Sequence, residues 1–228
     1  GIANMIHPLS AQKEITDYLE YSNSRMIVTL DMFYEKVHKA TESLMRPTEI
    51  VMARIQDELP VHLKMPYIAK EGRKYLRFPG KDHLTWKQFL KQKAEPVSPV
   101  PFEKNRTSVI LYSGGTSGKP KGVCLSDYNF NACALQARES IQKNFEPGLT
   151  MLSCMPVFHG FGLGINIHTV LVHGACCILM PTFNLDSYSR MLIKRKPSFI
   201  AGVPTIFDAL LNSEALEKAD LSFLEGMF

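Results

Sequence analysis

SVILYSGGTSGKPKGVCL, residues 108–125, is the stretch from which the rest of the chain can be read. SVILY (108–112) and GVCL (122–125) are short apolar runs, which predicts two strands. Between them, Ser113, Gly114, Gly115, Thr116, Ser117, Gly118 and Lys121 concentrate glycine, hydroxyl and ammonium groups in one turn. Glycines let consecutive backbone N–H groups point at one anion, hydroxyls add donors, and a lysine adds a point charge, so the composition points to phosphate. The Walker loop of P-loop NTPases needs four residues between its glycines and Ser or Thr directly after its lysine. Gly114 and Gly118 are one residue too close for that, and Pro120 follows Lys119. The competing reading is an ordinary Gly/Ser turn between two strands, which leaves the lysine and the hydroxyls without a reason.

Outward from this turn, helical and extended patterns alternate. Residues 11–21 read as a helix that Ser10 can cap, with Ile15, Tyr18 and Leu19 on one face. MIVTL (26–30) and EIVMA (49–53) read as strands, joined by a helix that Asp31 can cap and that turns Phe33, Val37 and Leu44 inward. From Gln56 to Arg77 the pattern blurs, with Pro60, Pro66 and Gly72 interrupting it. Thr85 followed by Gln88 is a capping-box signature before a short helix. Pro96, Pro99 and Pro101 stiffen a linker, because proline fixes its own torsion and restricts its neighbour.

Beyond residue 126 the reading is helix, strand 150–155, helix 162–172, strand 175–180, helix 186–193, strand 198–202 and a helix after Pro204. The fold class expected is therefore α/β, with mostly parallel sheets flanked by helices. Glu146, Pro147 and Gly148 interrupt the pattern and suggest a boundary, giving subdomains 1–145 and 146–228.

At 228 residues with 45% hydrophobic and 21% charged residues, the chain has the balance of a globular protein. A net charge of +4 with scattered basic residues is no nucleic-acid footprint; Lys194, Arg195 and Lys196 suit the C-terminal end of a helix. Five cysteines, an odd number lying in apolar stretches, follow no secreted disulfide framework, which fits a cytoplasmic protein. Residues 158–180 are apolar, yet His159, Asn166, His168 and His173 and four glycines argue against a transmembrane segment. The Cys and His residues of this region lack zinc-ligand spacing, so no metal site is expected from them.

YSGGTSGKPKG (112–122) resembles the signature loop of the adenylate-forming superfamily of acyl-CoA synthetases, 4-coumarate-CoA ligases, luciferases and peptide-synthetase adenylation domains, usually written YTSGTTGxPKG. Ser113, Gly114 and Ser117 stand where Thr, Ser and Thr are commoner, and Gly114 removes one hydroxyl. MPVFHGFGLG (155–164) is similar to the family segment bordering the acyl pocket, and AGVPTIFDALL (201–211) to the VP segment beyond it.

The resemblance implies ATP, with its polyphosphate at residues 113–118 and Lys121, Mg2+ accompanying the nucleotide with no residue here assigned to it, a carboxylic acid substrate, and CoA as thiol acceptor. It gives His159 a place beside the α-phosphate, against the plainer reading of a histidine satisfied within the core. The family's adenine-binding segment, Thr-Glu segment, ribose-binding Asp and C-terminal domain with its catalytic Lys have no counterpart in these residues. The chain is thus expected to be part of the large N-terminal domain, inactive alone and prone to self-association. Rival readings are a domain loading a carrier protein and a non-catalytic nucleotide- or partner-binding module.

Overall fold

The computed structural model describes residues 1–75, 83–113, 120–140 and 146–228. Its strands are β1 (Ala3–Met5), β2 (Met26–Leu30), β3 (Glu49–Ala53), β4 (Leu84–Thr85), β5 (Thr107–Ser113), β6 (Lys121–Ser126), β7 (Thr150–Ser153), β8 (Cys176–Leu179), β9 (Phe199–Ile200) and β10 (Gly226–Met227). They form three sheets in the orders β2-β3-β4, β1-β5-β6 and β10-β9-β7-β8. Every described pairing is parallel except that of β5 with β6. The expected α/β class with mostly parallel sheets is the observed one.

The chain divides into two compact units, Ile6–Val100 and Gly1–Met5 with Pro101–Phe228. The Val100/Pro101 boundary falls in the proline stretch. The boundary expected at 145/146 lies inside the second unit, between its two sheets.

In the first unit, α1 (Gln12–Ser22) buries Ile15 and Leu19, which cluster with Ala40 and Ile27, and α2 (Tyr34–Thr41) buries Tyr34 and Val37, which cluster with Ile50 and Met52 of the sheet. The central strand β3 has Ile50, Val51 and Met52 fully buried, each side chain contributing roughly 1.5–3 kcal/mol. Two expected caps differ. The N-cap of α1 is Ala11, whose N–H donates to Glu14 Oε2 at 2.9 Å, so the glutamate takes the part given to Ser10. Asp31 opens a short 3₁₀ turn, Asp31–Phe33, and its Oδ1 accepts from Met32 N before α2 begins. Burial of that carboxyl raises its pKa, and the Met32 N–H only partly opposes the shift.

The blurred region resolves into α3 (Ile55–Glu58) and α4 (Val61–Lys70), the latter carrying Pro66 inside it. The box at Thr85 is present: its Oγ1 accepts from Gln88 N at 3.3 Å, its N–H donates to Gln88 Oε1 at 2.8 Å, and α5 (Trp86–Lys91) follows.

In the second unit β7 is covered on both faces. Leu152 and Cys154 pack with Tyr188 and Leu192 of one helix and Ile206, Leu210 and Leu216 of the next two. Met151, on the opposite face, packs with Val170, Ala175 and Phe199. The first face is covered by helices near the chain's end. The second is covered by a helix wound in π register over Gly162–Thr169, and α6 (Asp127–Ser140) packs on that helix. The π-helix runs on as α7 (Val170–Val172), and α8 (Leu185–Arg195), α9 (Pro204–Leu211) and α10 (Glu214–Glu217) complete the first layer.

Two side-chain bonds tie the π-helix and the end of α7 to α6. His168 Nε2 lies 2.9 Å from Asn131 Oδ1, and His173 Nε2 lies 3.1 Å from Ala134 O. The Asn166 carbonyl also accepts from Ser153 Oγ of β7 and Cys177 Sγ of β8, at 3.1 and 3.2 Å.

Two outcomes are expected from this packing. Tyr188 is fully buried and its hydroxyl has no hydrogen-bond partner among the described residues, so Tyr188→Phe removes a desolvated polar group and should raise unfolding stability by up to about 1 kcal/mol in urea titration. Burial holds the pKa of His168 below its ordinary value, with Asp127 opposing the shift. The unfolded chain then takes up the proton first as pH falls below about 6.5, so stability should decline through that range and level off below the folded pKa. Melting temperatures from pH 8 to 5 should show a shallower decline for His168→Gln.

Candidate functional site

The site is built at the C-terminal end of β5. Ser113 is the last residue of β5 and Lys121 the first of β6, and the two are directly opposed in the antiparallel register, with Tyr112 opposite Gly122. Opposed residues of such a pair hold their Cβ atoms about 4.5–5.5 Å apart, so a hydroxyl and an ammonium-bearing chain flank the mouth of the connecting loop. Both are exposed. Gly114, Gly115, Thr116, Ser117 and Gly118 lie outside the described residues.

β6 passes into α6 without an intervening residue, and the junction is capped reciprocally. Ser126 N donates to Asn129 Oδ1 at 2.9 Å and Asn129 N donates to Ser126 Oγ at 3.3 Å. Arg106, whose Nη2 lies 3.1 Å from Asp127 Oδ2 and whose Nη1 donates to Pro101 O at 2.7 Å, ties the approach to β5 to the same helix end.

His159 sits in the turn between β7 and the π-helix. Its N–H donates to Pro156 O at 3.1 Å, and its carbonyl accepts from Leu163 N at 2.9 Å. The exposed ring is 4.6 Å, centroid to centroid, from that of Phe158 at an interplanar angle of 55°. Two glycines set the turn. A Cβ on Gly162 would overlap the carbonyl of Pro156, so only glycine lets the helix start back against the turn. A Cβ on Gly160 would come within 3.5 Å of Leu111 Cδ1, which puts the turn beside β5 two residues, about 7 Å, before Ser113. The structure thus brings the His159 turn to the strand whose end carries Ser113.

Cys154, five residues before His159, is buried, and burial pushes its thiol pKa up, which disfavours the thiolate a nucleophile requires. A cavity of about 720 Å³ is lined by Leu192, Phe207, Leu210, Leu216, Leu221 and Leu224 among others, and by none of Ser113, Lys121 and His159. The candidate site is therefore a strand-end surface rather than that apolar hollow. Of the groups that tie these elements together, Asn129 and Asn131 carry no reading from sequence, and His168 only that of a polar break in an apolar run. Asn129 has a local signal, a Ser three residues before it at a helix start, whereas Asn131 and His168 meet across 37 positions.

The chain is 27% identical over 230 residues to a long-chain-fatty-acid–CoA ligase of Bacillus subtilis, covering 99% of this chain and 41% of that protein. It is 26% identical over 226 residues to a 4-coumarate–CoA ligase-like protein of Arabidopsis thaliana, covering 98% of this chain and 37% of the relative. Its fold matches that of a red-emitting luciferase from Phrixothrix hirtus with a TM-score of 0.76 at 17% identity, over 97% of this chain and 39% of that one. The chain thus spans about two fifths of the length of the curated relatives it matches. The family of AMP-binding enzymes matches across residues 1–228, and the chain belongs to that family.

Proposed function

We propose that the whole protein activates a fatty or aryl carboxylic acid with ATP and passes the acyl group to CoA. The acid's carboxylate oxygen attacks the α-phosphorus of ATP, pyrophosphate leaves with the electrons of the broken P–O bond, and an acyl-adenylate remains. The CoA thiol, on losing its proton, then attacks the acyl carbonyl and AMP departs. The observation that carries this reading is the phosphate-type loop sequence mounted on a hairpin whose stem opposes Ser113 to Lys121. Family membership and the ligase names among the relatives support it.

In this reading Ser113, Gly114, Gly115, Thr116, Ser117, Gly118 and Lys121 hold the polyphosphate and stabilise charge on the departing pyrophosphate. Exposed hydroxyl and ammonium groups on either side of one loop mouth suit such an anion. His159 orients the carboxylate or the adenylate. Mg2+ would accompany ATP and neutralise phosphate charge, and no residue is assigned to it. The break at 146 would mark where the large domain passes from the sheet carrying the loop to the sheet carrying the His159 turn.

In the whole protein, Lys121→Ala should slow adenylate formation by about 10²-fold, the scale of losing one preorganised donor to developing charge. His159→Ala should instead chiefly raise the KM for the acid. Quenched-flow measurement of adenylate separates the two effects, and equal small effects would remove both residues from the site. Adenylate formation without a CoA thioester would assign a carrier protein as acceptor.

By themselves the 228 residues should give no acid-dependent exchange of labelled pyrophosphate into ATP above a loop-substituted control. Holding both reactants in one geometry is worth roughly 7–11 kcal/mol of a barrier, and this chain amounts to 41% of the Bacillus relative's length. Exchange clearly above the control would show that these residues suffice.

A further inference from the structure

Lys121 opens β6, the outer strand in the order β1-β5-β6, so within that sheet β5 alone holds it in place. The next residue is Gly122, which is exposed. Glycine weakens a strand, because its backbone has more freedom to lose and it offers no side chain to pack. The strand that presents Lys121 is therefore weakest beside the lysine.

Two devices offset that weakness. At the base of the hairpin the register shifts between Thr107 and Val109, which leaves Ser108 as an extra residue, and Ser108 Oγ donates to Leu125 O at 3.2 Å. Bulges of this kind pin the register of a strand pair. At the mouth, Tyr112 is paired directly with Gly122. A Cβ on Gly122 would come 3.4 Å from Tyr112 Cε1, 3.9 Å from its Cδ1 and 3.2 Å from Ile110 Cγ2. The ring and the isoleucine thus occupy the space that a side chain on residue 122 would take. An aromatic ring across from a strand glycine restores the cover that the glycine lacks.

Side chains alternate along β5, so Ile110 and Tyr112 lie on one face and Leu111 and Ser113 on the other. Cross-strand partners share a face, which places Lys121 with Ser113. Gly160 approaches Leu111, so the Tyr112 ring covers the hairpin from behind, on the face away from the His159 turn.

We propose that Tyr112 is a positioning residue for Lys121: its ring, laid over Gly122, holds the start of β6 in register so that the ammonium group stays at the loop mouth. This rests on the reading above in which Lys121 holds polyphosphate, and Tyr112 acts through that lysine rather than on a reactant.

The test is made in the whole protein. Tyr112→Ala should slow adenylate formation by about tenfold, the scale of a small misplacement of one group, and leave the KM for the acid unchanged. In a Lys121→Ala background it should slow the step no further, because residues that act as one unit do not add. Tyr112→Phe, which keeps the ring, should leave the rate near the parent's. Amide hydrogen exchange at residues 121–124 should quicken in Tyr112→Ala and not in Tyr112→Phe, while exchange in β7 stays at the parent's rate. Exchange needs no turnover, so it judges Tyr112 separately; a whole protein that activates no acid would sink the functional reading alone. Losses that add in the double variant, a raised KM for the acid, a Tyr112→Phe rate as low as that of Tyr112→Ala, unchanged exchange at residues 121–124, or exchange that quickens throughout the fold would each overturn the proposal.

Discussion

The antiparallel pairing of β5 with β6 is the constraint on which the site depends. Parallel strands are joined by crossovers of a dozen or more residues, which leave the strand ends far apart along the chain. Only an antiparallel pair can hold both ends of a short loop in fixed register. Among the described pairings this is the one antiparallel pair, and it carries the sequence richest in glycine, hydroxyl and lysine. Its register opposes Ser113 to Lys121. A slip of β6 by one residue would turn its side chains to the other face of the sheet and part Lys121 from Ser113.

From that hairpin a chain of contacts reaches His159 without leaving one compact unit. β6 runs directly into α6, α6 is tied to the π-helix through Asn131 with His168 and to the end of α7 through Ala134 with His173, and the π-helix begins against the Pro156 carbonyl behind His159. Gly160 closes the circuit by approaching Leu111 of β5. The magnitudes divide the labour. Full burial of Met151 and Leu152 contributes roughly 1.5–3 kcal/mol each and fixes β7 between its helices. The side-chain hydrogen bonds, about 1 kcal/mol apiece, are too weak to hold the layers together but directional enough to set how the helices slide on one another.

The readable parts of the sequence were those where one local signal decides the outcome. MIVTL and EIVMA are strands over the residues expected, because β-branched runs between breakers have no good alternative. Caps were less legible at Ser10 and Asp31, since several polar residues near a helix start compete and tertiary position chooses among them. α4 was lost in the blurred region because Pro66 interrupts it and no buried stripe gives it the usual period. The π register of Gly162–Thr169 has no signature separable from an α-helix in a glycine-rich run, and it rests on contacts to β7 and β8 that only the folded chain makes. Ser113, Lys121 and His159 stand out in the sequence only as candidate groups, and that the His159 turn lies beside β5 required the 3.5 Å approach of Gly160 to Leu111.

The polar groups of this unit sort by what burial costs them. Inside, the Asn166 side-chain amide and the Tyr188 hydroxyl have no hydrogen-bond partner among the described residues, a desolvation loss on the order of 1–3 kcal/mol each that the surrounding packing must offset. A lysine ammonium without a counter-charge would cost far more in the same place. Lys121, Ser113 and His159 are instead at exposed strand and turn ends, so the fold bears no such cost for them in the absence of ligand. On the proposed function, desolvation is deferred until an anion arrives to replace the lost water. A site of this type needs little from the hydrophobic core except rigidity, which explains why the 720 Å³ apolar cavity and the candidate site occupy different parts of the unit.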